Sequence, residues 1–266
     1  MLRKGTYTII LCTPVCIAYA EKKTGAACPA DSFRKVIAKY RVMEDEIRKR
    51  WVKDEENWRK LPARAWPEYQ PDLHEIPKLR LTMKDMCKEN SPSCRDAKFN
   101  LATALLFNHV DHEEGMKLYE SLAAEGDVRG MTAVGICLTE GFGCTRDDEH
   151  GSKWLQKASQ LNFVQGIYEV ATLHYTGTAT PYVKEDVRKA FELFQQAASH
   201  DHASALYMVA DMLMSGEGTE KDWARAVDLL YQSGEKGHRF ARSTLLRLLR
   251  EEQQIAEELV RHGGQN

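Results

Sequence analysis

The chain has 266 residues, of which 29% are charged, with 37 basic against 39 acidic side chains and a formal net charge of −2. That length allows one large domain or two small ones and a substantial buried core. Nucleic-acid binding normally shows as a basic excess or stripe, and the near balance of charge here argues against it.

The opening segment, residues 1–23, reads as a signal-peptide-like or targeting leader. Arg3 and Lys4 form a basic start, residues 6–20 carry no charge, and Ala18-Tyr19-Ala20 has the small-x-small form of a signal-peptidase site. The uncharged run is shorter than the roughly 20 residues that a spanning helix needs. The expected location is therefore the secretory pathway or another extracytoplasmic compartment. The Met-Leu-Arg start and lack of early acids also fit mitochondrial targeting, so the intermembrane space or inner membrane is the alternative. Membrane contact is expected only through the leader, if it is retained.

Residues 31–80 read as an amphipathic helix followed by a Pro-rich strap. Phe33, Val36, Tyr40, Met43, Ile47, Trp51 and Trp58 fall along one seam close to heptad spacing. Pro62, Pro67, Pro71 and Pro77 then enforce an extended path. The expectation is a long helix and strap packed on the first repeat as an N-terminal cap. A docking arm anchored by Trp66 and Tyr69 is the alternative.

Cys87 and Cys94 frame "CKENSPSC", while Cys137 and Cys144 frame "CLTEGFGC". The absence of any Cys-x-x-Cys argues against a zinc ribbon or a thioredoxin-type site. In an oxidising compartment Cys87 and Cys94 are the better disulfide candidates, because a flexible loop joins them. Cys137 reads equally well as a free buried thiol.

The stretch 81–250 repeats itself. "GMTAVGICLTEGFG" (130–143), "GIYEVATLHYTGTA" (166–179) and "ALYMVADMLMSGEG" (205–218) align, so that Gly130, Gly166 and Ala205 stand 36 and 39 residues apart. Gly135, Ala171 and Ala210 keep those steps, as do Gly141, Gly177 and Gly216. A looser copy begins at Ala97, and a half-copy from Ala241 leads into a polar capping helix and tail over 251–266. Each unit predicts a helix A, a Gly-containing turn and a helix B. In helix A the apolar residues recur at helical spacing, as in Ile167, Val170, Ala171 and His174. Small residues are poor helix formers. Their recurrence is explained if neighbouring helices cross there.

The pattern small-x-x-x-x-small-x-x-Leu, Gly-x-Gly, Asp or Glu, then Ala-x-x-Leu/Trp-Phe/Leu/Tyr-x-x-Ala is similar to the Sel-1-like repeat family, relatives of the tetratricopeptide solenoids. The resemblance covers about residues 97–250. It implies an all-α, right-handed solenoid of about four repeats that serves as a non-enzymatic protein-binding scaffold or adaptor. Some cysteine-rich relatives staple successive helices, which implies the same for Cys87 and Cys94.

Candidate chemistry is sparse. His109, His112 and Glu113 sit on an expected surface turn, His174 occupies a core position, and His200 and His202 fall in a loop expected to be solvated. Ser32-x-x-Lys35 and Ser233-x-x-Lys236 lack the companion motifs of a Ser-x-x-Lys enzyme. No metal, cofactor or catalytic site is expected. The outer columns of helix A remain, and in related solenoids helix A lines the concave surface. They put Phe99, Tyr168, Tyr175, Tyr207, Asp211, Arg247 and Arg250 on one candidate partner-binding face. Tyrosine and arginine are common hot-spot residues. One or more protein partners are expected, bound as an extended or helical segment with an acidic end near the arginines. Packing of the tyrosines on helix B is the competing explanation. A structural subunit or assembly factor of a mitochondrial membrane complex is the alternative function.

Overall fold

The computed structural model describes residues 29–58, 73–87 and 92–263. Among them are twelve α-helices and no strand. Helices α1 (Pro29–Val42) and α2 (Glu44–Trp58) come first. A 3-10 turn, Leu73–Glu75, leads into α3 (Ile76–Met86). Four helix pairs follow: α4 (Pro92–Phe107) with α5 (His112–Ala124), and α6 (Val128–Glu140) with α7 (Asp148–Gln160). The next are α8 (Val164–Thr176) with α9 (Val187–Ser199), and α10 (Ala203–Ser215) with α11 (Trp223–Glu235). The final helix α12 (Arg239–Gly263) opens a fifth unit. The architecture is the α-solenoid that the repeats predict. The leader, Trp66 and Tyr69 lie outside the described residues.

Local sequence explains each turn. Helix A of the last three pairs ends at Gly141, Gly177 and Gly216, whose φ values of 69°, 63° and 79° are left-handed and cost glycine no Cβ clash. Every helix B then begins at an aspartate. The side chains of Asp111, Asp147, Asp186 and Asp222 accept from the backbone N–H of Glu114, His150, Lys189 and Arg225, satisfying a donor that the helix cannot. The first pair lacks the glycine and closes instead through His109, at φ 53°.

The small residues sit at helix crossings. A Cβ on Gly135 would fall 2.6 Å from the Leu155 side chain and 3.1 Å from the Gly151 carbonyl oxygen. A Cβ on Gly166 would fall 2.8 Å from that of Ala158, in the preceding helix B. Ala171 and Ala210 are fully buried at the same phase. Close approach offsets their weak helix propensity.

The two ends are closed in different ways. Helix α3 packs Ile76, Leu79 and Met83 against Leu101, Ala104 and Leu105 of α4, and Arg80 donates to Glu114 of α5 at 2.6 Å. A Cys87–Cys94 disulfide, with Cα atoms 4.7 Å apart, ties α3 to α4. Pro77 lies in the first turn of α3 rather than in an extended strap; a helix tolerates proline there because that N–H needs no partner.

The N-terminal helices are not on the first repeat. They cover the last one. The Tyr40 hydroxyl donates to Asp228 at 2.6 Å, its ring lies 4.7 Å from Tyr231, and Phe33 meets Trp223 edge-on. Trp51 donates from Nε1 to Glu235 at 2.8 Å, beneath the Arg242 guanidinium, which itself donates to the Gly234 carbonyl. The expected seam was right in period, but α3 already covers the first repeat. The uncovered edge lies at α11 and α12, where α1 takes the place of the helix B that the fifth unit lacks. A turn at Met43 also splits the expected long helix in two.

Candidate functional site: the outer face of helix A

The outer columns of helix A change character along the solenoid. In α4 and α6, Thr103, Leu106, Thr132 and Thr139 are buried. The threonine hydroxyls turn inward, Thr103 to the Tyr119 hydroxyl at 2.8 Å and Thr139 to the Gly135 carbonyl at 3.0 Å. Phe99 packs on Tyr119 and lies under the Arg129 guanidinium. In α8 and α10 the same columns hold Tyr168, Thr172, Tyr175, Tyr207, Asp211 and Met214, all half-buried. In α12, Ser243 and Arg250 are exposed, and Arg247 is paired with Glu251 at 3.0 Å.

Each tyrosine is held by an aromatic or imidazole neighbour and is half-buried. Tyr168 lies 5.5 Å from Phe194 of α9 and 4.8 Å from His202. Tyr175 also meets Phe194, edge-on, and its hydroxyl donates to Glu217 at 2.8 Å. Tyr207 stacks on His238 at 4.7 Å and approaches Phe240. Tyr168 and Tyr175 thus pack on helix B of their own repeat and Tyr207 on the start of the next unit, while all three stay half-buried.

His202 is not a solvated loop residue. It is the N-cap of α10, its Nδ1 accepting from the Ala205 N–H at 3.2 Å. Its other nitrogen meets Gln165 Oε1 at 2.9 Å, and Gln165 Nε2 donates to Glu169 at 2.6 Å. A neutral imidazole with its proton on Nε2 satisfies both contacts. Burial pushes His202 down to about 4, aided by the neighbouring His238. Burial pushes the Glu169 carboxyl up to about 7, against the Gln165 hydrogen bond and with help from Glu140. Asp211 is raised by burial, then by Glu217.

Neither Glu169 nor Gln165 stands out as a site residue in the sequence, and His202 reads there as a loop residue. One signal was available for Glu169: it is the one charged residue in a column whose repeat equivalents are Asn100, Ala133, Met208 and Thr244. His174 does behave as a satisfied core side chain, its Nδ1 meeting the Lys184 carbonyl at 2.9 Å. His109 and His112 pair with each other at 3.0 Å on a surface turn. Among the described residues no three His, Cys, Asp or Glu side chains converge on a possible metal position. No helix there is long and apolar enough to cross a membrane.

The Sel1 repeat model matches residues 96–127, 128–163, 164–202 and 203–238, together more than half of the chain. The chain belongs to the Sel1 repeat family. Among relatives, it is 28% identical over 117 residues to Chitin synthase regulatory factor 2 of Schizosaccharomyces pombe, covering 43% of this chain and 22% of that protein. It is 27% identical over 165 residues to the Exopolysaccharide production negative regulator of Rhizobium leguminosarum bv. viciae, covering 58% of this chain and 62% of the relative. Both relatives are thus spanned over less than two thirds of their length. The solved structure of a Sel1 repeat protein from Oxalobacter formigenes aligns with a TM-score of 0.53 at 22% identity, covering 65% of this chain and 74% of that one, which supports the fold. The half-open aromatic columns lie on Sel1 repeats three and four.

Proposed function

We propose that this Sel1 repeat chain is a non-enzymatic scaffold or adaptor that holds a partner protein on the helix-A face of its third and fourth repeats. The observation that carries this reading is the half-open run of Tyr168, Tyr175 and Tyr207 across α8 and α10, each ring fixed by an aromatic or imidazole neighbour. Rigid aromatic groups with one open edge are common anchors because little side-chain entropy remains to be lost. Asp211 adjoins them, and Arg250 and Arg247 continue the face onto α12. Phe99 joins it at the other end only through its outer edge, since Tyr119 and Arg129 cover the rest. The two relatives named as regulators support a regulatory scaffold rather than a catalyst. The Cys87–Cys94 disulfide supports an oxidising, extracytoplasmic compartment.

Proximity labelling in the native cell, with the labelling enzyme at the C-terminus, identifies the neighbour. Lumenal or secretory proteins are expected. Enrichment of one mitochondrial membrane complex would instead favour the structural-subunit function. Tyr168→Ala, Tyr175→Ala and Tyr207→Ala combined are expected to abolish capture of the enriched neighbour while circular dichroism shows helicity retained. Undiminished capture overturns the face reading.

A further inference from the structure

Charge is distributed unevenly over the repeats although the chain as a whole is nearly neutral. Helices α8 and α10 contain one carboxylate each, Glu169 and Asp211, and no lysine or arginine. Helix α6 ends in Glu140, and its single cation, Arg129, is already held by Asp127 at 2.7 Å and Asp96 at 2.6 Å. Glu217 follows α10 and accepts from Tyr175. The other cations of these repeats lie in the turns, as with Arg146, Lys184 and Lys221, or on helix B, as with Lys153 and Lys157 of α7 or Arg188 and Lys189 of α9.

Glu169 and Asp211 are drawn partly out of water with no cation to compensate them. Glu169 has only the uncharged amide of Gln165, and among the described residues nothing donates to Asp211. The upward displacement of both carboxyls has burial as its largest cause. An incoming ammonium or guanidinium would recover that loss, and an incoming carboxylate would add to it. The tyrosines beside them offer ring faces, which also attract cations. An acidic end, expected from Arg247 and Arg250, finds only an arginine already paired with Glu251 and one exposed arginine at the rim.

Resting on the reading of this face as the binding surface, we propose that its occupant is basic: a lysine- or arginine-bearing protein segment whose cations seat at Glu169 and Asp211, between the tyrosines of α8 and α10.

The test is selection of a random-peptide phage library on the full chain, with recovered peptides synthesised and their affinities measured. Lysine and arginine should be enriched over aspartate and glutamate. Recovered peptides should bind the E169Q/D211N variant roughly tenfold more weakly or worse, the scale of losing a charge-assisted contact. E113Q/E149Q, which removes the same charge from exposed helix-B positions, should leave affinity unchanged. Acidic or charge-indifferent peptides, or equal affinity for E169Q/D211N, would overturn the basic occupant. If the three Tyr→Ala changes abolish peptide binding while E169Q/D211N does not, the face survives and only its charge preference fails. If peptides bind the tyrosine variant as well as the parent, the face itself fails. Concentration-dependent dimerisation lost in the tyrosine variant would put a second copy of the chain there, which also overturns the proposal.

Discussion

In the first two repeats Thr103, Leu106, Thr132 and Thr139 of the outer helix-A columns are buried and only Phe99 and Ile136 are half-buried, whereas in the last two all six column residues stand half open, on helices of matching phase. Thr103, Thr132 and Thr139 are short enough to fold their hydroxyls back onto a helix carbonyl or Tyr119. Tyr168, Tyr175 and Tyr207 occupy the same columns but are too large to be absorbed. They lean on Phe194, His202 and His238 and remain half-buried. A shared backbone thus carries two kinds of surface, and side-chain size at a few repeat positions decides which one appears. The difference also concerns histidine: α10 and α12 receive imidazole acceptors where α6 begins at Asp127.

The largest expected effect breaks one half only. Phe194→Ala removes the fully buried ring beneath Tyr168 and Tyr175, and should cost about 3–5 kcal/mol in urea unfolding. Hydrogen exchange should show repeats three and four opening while repeats one and two keep their protection, because each repeat contacts mainly its neighbours. Simultaneous loss in both halves would mean a single cooperative unit.

Overpacking comes next. Ala171→Leu or Ala210→Leu, at fully buried crossings of the open half, should each cost roughly 1–3 kcal/mol by thermal or urea melting. Smaller again is Asp222→Ala, which leaves the Arg225 N–H without its cap; about 1 kcal/mol is expected.

The subtlest difference is in pH. The folded-state value of His202 lies below its ordinary 6.5, at about 4. Its neutral form therefore favours folding, and that contribution should be lost as pH falls from about 6.5 through about 4. Glu169 runs the other way. Raised from 4.5 to about 7, it supports folding when protonated and loses that contribution as pH rises through about 7. His202→Asn, which can still cap α10, should flatten the acid side of the stability profile. Glu169→Gln should flatten the neutral side. An unchanged slope in either variant removes that residue from the account.

Repeat phase, helix pairing and the crossing positions were legible because they are written as spacing: Gly135, Ala171 and Ala210 mark one crossing in three repeats. The cysteine pair at 87 and 94 was legible from the loop that joins it and from the family resemblance, not from spacing, since Cys137 and Cys144 stand equally far apart and are free. The destination of α1 was not. Phe33, Tyr40, Ile47 and Trp51 announce an apolar seam, but both ends of a solenoid offer an apolar edge, and only the placement of α3 decides between them. The site was half legible. The columns could be counted, yet whether a threonine closes over or a tyrosine stands open depends on neighbours such as Tyr119 and Phe194. His202 looked like a loop residue because a cap is defined by the backbone that it meets.

The clasp of α1 on α11 also sets an order of events during synthesis. Tyr40 and Asp228 are 188 residues apart, so at about 5–20 residues per second the helix would leave the ribosome roughly 10–40 s before its docking site exists. For that interval Ile37, Tyr40, Ile47 and Trp51, all buried at the end, lack the α11 and α12 surface that covers them. The repeats can assemble one upon another as they emerge, but α1, made before any of them, is the last to be seated. A nascent chain stalled before α11 should therefore recruit hydrophobic-binding chaperones through this seam, and one released after α12 should not.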